Sequence, residues 1–167
     1  FRISFLATLS SATGFLIASG KISEELFFLT TGVFILACGS CALNQYQERK
    51  TDMLMERTRF RPIPSGRISP CFALFFSILL ILTGSLLLLF GTNFFSFCLS
   101  VFTFFWYNMV YTPLKRKSSF ATIPGAFAGA FTPAIGWLAG GRNVFEPGIF
   151  GIIFFLFIWQ VPHFWLI

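Results

Sequence analysis

Asn44, Glu48 and Asp52 stand four residues apart in turn. On a helix each such step advances about 40° around the axis, so an amide and two carboxylates share one face. An oxygen-only set of this kind suits a hard cation. Mg²⁺ commonly takes one or two carboxylates and completes its shell with water and substrate phosphates. Arg57 and Arg61, also four apart, follow directly, and a guanidinium fork matches phosphate oxygens. The whole stretch, NQYQERKTDMLMERTRFRPIPSGRISP over 44–70, carries six positive and three negative side chains. It follows an apolar run without a break, where an acid is costly and tends to mark function. A second reading stays open: solvated charges at a helix end, with Glu48 and Asp52 paired to neighbours such as Arg49.

The elements that must position these side chains are membrane helices. The chain has 167 residues, 56% hydrophobic and 11% charged, and 26 of them are Phe. Soluble chains run about 25% charged, and the mean hydropathy here is +0.79. Disorder is excluded by so many aromatics and so little charge. Four cysteines are too few for a disulfide scaffold. Cys38 and Cys41 form a C-x-x-C pair on an apolar stretch with no second pair nearby, so all four cysteines read as small packing residues rather than a zinc site. A crossing helix needs roughly 20 apolar residues. Six runs qualify: 3–19, 26–43, 71–90, 94–111, 122–138 and 150–167. The predicted fold class is all-α, a polytopic transmembrane helix bundle. The fifth run holds Pro124, Pro133 and GAFAGA; small residues let helices approach closely, which suits the bundle interior. Tyr107 and Asn108 read as interior polar residues. Both ends read as cut within apolar runs, so a longer chain is expected.

Six alternating spans put Arg2, the 44–70 segment and the 112–121 segment on one side. That side collects ten of the twelve Lys and Arg, leaving Lys21 and Arg142 opposite. The excess makes it the cytoplasmic side, or the matrix side of a mitochondrion. The net charge of +6 thus reflects topology, and nucleic acid is not an expected partner.

The run from Asn44 to Ser69, with YTPLKRKS from Tyr111, GAFAGAFTPAIGWLAGG from Gly125 and WQVPHFW from Trp159, resembles the UbiA-type intramembrane prenyltransferases. It looks most like the branch that farnesylates protohaem. The resemblance runs along all 167 residues and implies that 1–167 is part of a single domain, with six of about nine helices present. It implies transfer of farnesyl from farnesyl diphosphate to the 2-vinyl group of haem b, giving haem O, with Mg²⁺ as cofactor and the lipid bilayer as surroundings. The setting implied is the cell inner membrane, or the mitochondrial inner membrane in a eukaryote. Residue by residue, Asn44, Glu48 and Asp52 match the first acidic motif, with Glu48 and Asp52 as metal ligands. Arg57, Arg61, Lys115 and Arg116 match diphosphate-binding positions. Glu48 stands where the superfamily usually has Asp, and Lys50 where many relatives have another acid. A second acidic motif would lie beyond residue 167.

His163 is the single histidine. Neutral imidazole is a common iron ligand, and the resemblance places His163 in the WQVPHFW signature, so it is the candidate contact to haem. A helix entering near Phe150 would carry it about 20 Å inward, with Pro162 able to bend the helix there. The plainer reading is a histidine bonded to a neighbouring helix. Two other functions stay open: a related transferase with a quinone-type aromatic acceptor, and a non-catalytic membrane paralogue.

Overall fold

The computed structural model describes residues 2–143 and 145–165, with side chains at all of these except 119 and 162–165. Six long helices follow one another: α1 (Arg2–Ser19), α2 (Glu24–Asp52), α3 (Pro70–Gly91), α4 (Phe94–Leu114), α5 (Thr122–Ala139) and α6 (Pro147–Trp165). No strand occurs among the described residues. This is the expected all-α bundle. Among the described residues, four helices, α1 to α4, are long and apolar enough to cross a membrane. The fifth and sixth expected spans also form helices but stand outside those four. Glycine and proline dilute α5, and α6 is apolar over Pro147–Val161, as far as its side chains are described.

Start signals are local. Ser69 accepts a hydrogen bond from the Phe72 amide at 3.2 Å, with Pro70 at the first turn of α3. Asn93 likewise accepts from the Ser96 amide at 2.9 Å to open α4. Its amide also donates to the Leu138 carbonyl, tying α4 to the end of α5.

Two packed pairs form the frame: α2 lies along α3, and α1 lies along α5. Glycine is required where backbones touch. A Cβ on Gly84 would lie 2.6 Å from the Leu36 amide nitrogen. A Cβ on Gly136 would meet the Ser11 carbonyl, and one on Gly14 the Pro133 carbonyl. Interior position is therefore what the small residues of α5 supply. Pro133 sits inside α5 and cannot donate to the Gly129 carbonyl, but the Thr132 hydroxyl does so at 2.7 Å. Phe15, Leu29, Val33, Leu36, Leu88 and Ile135 meet in the apolar core. Large exposed residues such as Phe75, Phe90, Phe95 and Phe154 face outward, as a lipid-facing surface requires.

α4 is not uniform. It is α-helical over Phe94–Phe105, widens to a π-turn over Trp106–Tyr111, and closes with Thr112–Leu114. The Thr112 amide reaches back to the Tyr107 carbonyl, five residues away. Pro113 follows at once; it lacks the N–H for a regular bond and its ring crowds the carbonyl four residues back. One wide turn accommodates both, and single turns of this kind are the form in which π-helix occurs inside α-helices.

The ends of the bundle sort as alternation demands. At one end Arg142 donates to the Ala18 carbonyl at 3.2 Å, near the Asn93 contact to Leu138. At the other, the segments after α2 and α4 meet. The 44–70 and 112–121 segments thus share one end of the bundle, as the charge count predicts.

Candidate active site

Asn44, Glu48 and Asp52 lie on the last three turns of α2, on one buried face, as their spacing predicts. They are 8%, 8% and 4% exposed. Asn44 donates to Glu48 at 3.1 Å. Asp52 is held from behind by its own segment: the buried Thr58 hydroxyl donates to the Asp52 carbonyl at 3.1 Å. Residues 53–69 form a chain of turns rather than a helix, closed by the Ile68 amide on the Pro62 carbonyl at 3.1 Å. That path brings Arg61 back over α2.

Three cations meet the two acids. Arg61 Nη1 lies 2.8 Å from Asp52 Oδ2 and 4.0 Å from Glu48 Oε2. Lys115 Nζ lies 2.9 Å from both Glu48 carboxylate oxygens. Arg116 Nε stands 4.0 Å from Glu48 Oε1, and its Nη2 donates to the Gln47 carbonyl at 2.9 Å. The acids are buried, while the cations are partly exposed. Two negative and three positive side chains leave the cluster one charge positive, with the cations on the rim. Such a rim receives an anion, and Arg forks fit phosphate oxygens. Asp52 Oδ1 takes no hydrogen bond from any described residue.

The expected set is brought together with exceptions. Arg57 is exposed and forms no ion pair with Glu48 or Asp52. Lys50 is exposed and stands apart from the acids too. Arg49 does not pair with Glu48 or Asp52; it bonds the Tyr46 carbonyl at 2.6 Å and stacks 4.1 Å over the Tyr46 ring. The backbone of His163 lies in α6, but its side chain is outside the described residues. No group of three or more His, Cys, Asp or Glu converges among the described residues. The cysteines are all free; Cys38 and Cys41 are half-buried, but Cys71 and Cys98 are exposed, so those two face outward instead of packing inside.

Sequence reasoning placed Asn108 in the interior, where it is buried, but missed Thr112 and the contacts that both make to α2. The Thr112 hydroxyl lies 3.0 Å from Asn44 Oδ1 and 3.0 Å from the Tyr107 carbonyl. One helical turn further in, Asn108 donates to the Ser40 hydroxyl at 2.6 Å and to the Phe104 carbonyl at 3.1 Å. Ser40, Asn108 and Thr112 are buried. Thr112 precedes the proline that sets the π-turn, which was the available signal; its contact across to α2 left none.

Residues 6–167 match the UbiA prenyltransferase family. The chain is 43% identical over 169 residues to a protoheme IX farnesyltransferase of Geobacter sulfurreducens, covering 99% of this chain and 61% of that protein. It is 37% identical over 166 residues to one of Oleidesulfovibrio alaskensis, covering 99% and 59%. The chain thus spans about three fifths of the length of these curated relatives. Among solved structures, a digeranylgeranylglyceryl phosphate synthase superposes with a TM-score of 0.79 at 20% identity, over 98% of this chain and 56% of that one. A UbiA homolog from Aeropyrum pernix, in its apo form, superposes with a TM-score of 0.75 at 16% identity, over 96% and 60%. At those identities the structures speak for the shared membrane-helix fold.

Proposed function

Because the chain belongs to the UbiA prenyltransferase family, we propose that the protein transfers the farnesyl group of farnesyl diphosphate to the 2-vinyl group of haem b, making haem O. The observation that carries the reading is the convergence of Arg61, Lys115 and Arg116, from two segments, on the buried Glu48 and Asp52. The similarity to named protoheme IX farnesyltransferases supports the choice of acceptor.

Mg²⁺ would be held by Glu48 and Asp52 together with substrate phosphates. The donor set fits, being all oxygen and having Asp52 Oδ1 uncommitted. Bound there, the cation would offset charge on the diphosphate leaving group. Arg61, Lys115 and Arg116 lie where they can bind the same phosphates and stabilise the charge that develops as the C–O bond breaks. Asn44, bonded to Glu48 and Thr112, orients the first acid. Arg57, exposed, would attract the anionic substrate rather than grip it. His163 is proposed to contact the iron of the haem substrate. The lipid bilayer excludes bulk water from the carbocation, and the site opens toward the cytoplasmic side of the inner membrane.

Full-length protein in membranes, given farnesyl diphosphate, haem b and Mg²⁺, is expected to form haem O, and to lose that activity with a chelator. Asp52→Ala should reduce the rate by at least about 100-fold, the scale on which removing one charge-stabilising group acts, with the protein level unchanged. Near-normal haem O formation by that variant would refute the assignment. Farnesyl transfer to hydroxybenzoate but not to haem would redirect it to a quinone-type acceptor.

A further inference from the structure

The contacts between α2 and α4 form a ladder. Both helices run the same way, and their polar partners keep a nearly constant offset: Ser40 with Asn108 and Asn44 with Thr112 at 68 residues, Glu48 with Lys115 at 67. The rungs also rank by depth. Asn44 stands about 6 Å and Ser40 about 12 Å along the axis from Glu48, at 1.5 Å per residue. Beyond Ser40 the buried face of α2 turns to Leu36, Val33 and Leu29. The Ser40–Asn108 rung is therefore the boundary between the polar site and the apolar core.

That rung is incompletely bonded. Asn108 is 2% exposed, and its amide nitrogen has two acceptors. Its carbonyl oxygen, Oδ1, is buried and has no hydrogen-bond partner among the described residues. A buried acceptor left without a hydrogen bond is costly, so a donor is wanted there. Gln47 Oε1 is also unpaired, but Gln47 adjoins Glu48, at the level of the phosphates. Ser4 and Gln160, the other two cases, are carried by α1 and α6.

Resting on the proposed haem farnesylation, we propose that Asn108 Oδ1 holds the water consumed by that reaction, making Asn108 a catalytic residue. With the diphosphate at the charged Glu48 end, the apolar farnesyl chain is best accommodated toward the apolar end of the seam, at the depth of Asn108. The C–O bond of farnesyl diphosphate breaks and the vinyl group forms a C–C bond to the farnesyl carbon, leaving a cation beside the porphyrin. Water adds to that cation through its oxygen, and its spare proton passes to the departed diphosphate. The sum is redox-neutral: farnesyl diphosphate, haem b and water give haem O and protonated diphosphate. Without a positioned water the cation loses a proton instead, giving an alkene lighter by one water.

The test uses the full-length enzyme and mass analysis of the haem product. Asn108→Leu removes the acceptor and fills its space. The alkene-to-alcohol ratio should rise by about tenfold or more, corresponding to about 1.4 kcal/mol, while farnesyl diphosphate consumption continues. Asn108→Ser, which keeps an acceptor and leaves room, should restore the alcohol. If Asn108→Leu accumulates poorly, Asn108→Val reads the same ratio. An unchanged ratio, with total product falling in step with protein level, overturns the water site while haem farnesylation stands. A wild-type enzyme that never farnesylates haem overturns both.

Discussion

At the scale of single residues, burial decides which charges matter. Glu48 and Asp52 are far more buried than the cations that meet them, so each acid depends on its partner. The cations stand partly exposed at the rim, where water screens them, so losing one acid costs binding charge more than stability. The spacing of Asn44, Glu48 and Asp52 was legible in sequence because all three are on one continuous helix. Arg57 and Arg61 share that spacing, yet only Arg61 reaches the acids. The segment that carries them is a run of turns, where four residues do not return to the same face. The His163 side chain lies outside the described residues, and its proposed role rests on the reaction. His163→Ala in the full-length enzyme is expected to weaken haem binding and shift the haem absorption spectrum, with farnesyl diphosphate binding intact. Unchanged haem binding with lower protein yield would make it structural.

At the scale of elements, close backbone contact fixes how the helices sit. The α1–α5 seam has no room for a side chain at Gly136, because the neighbouring atoms are the Ser11 carbonyl and the Phe15 amide, which cannot swing away. Gly136→Ala should destabilise the bundle by about 1–3 kcal/mol, the usual cost of overpacking. A thermal melt in detergent would report it. Gly151→Ala is the control, since a Cβ there meets nothing within 4 Å, and equal melting temperatures for the two variants would contradict the seam. Five of the six helices have the positions expected from apolar runs to within a few residues; α2 runs nine residues past its apolar run to Asp52. The π-turn was not legible, because it arises from Pro113 acting on a helix whose apolar pattern continues through it.

At the scale of the whole molecule, topology and charge agree. The segments that precede α3 and α5 meet at one end, joined by Lys115 to Glu48 and Arg116 to the Gln47 carbonyl. Cysteines introduced at Ser65 and Ser118 are expected to react with an impermeant reagent from the same side of the membrane, and one at Asn93 from the other. Opposite sidedness of Ser65 and Ser118 would break the six-helix topology. The alternation itself was legible from hydropathy and the basic residues. Which helices pair was not, since apolar faces in lipid carry no address.

The ladder between α2 and α4 also sets a timetable for synthesis. Asp52 has its partner, Arg61, nine residues downstream, so the two emerge from the ribosome almost together. Glu48 waits 67 residues for Lys115, or roughly 3–13 s at about 5–20 residues per second. Through that interval α3 and most of α4 must insert while Glu48 has only the Asn44 amide, the distant edge of Arg61 and interfacial water. Nascent chains arrested after α3 are therefore expected to keep a cysteine at position 48 open to aqueous labelling. Chains arrested after α5 should close it, and equal labelling of the two would show that α4 does not complete the site during insertion.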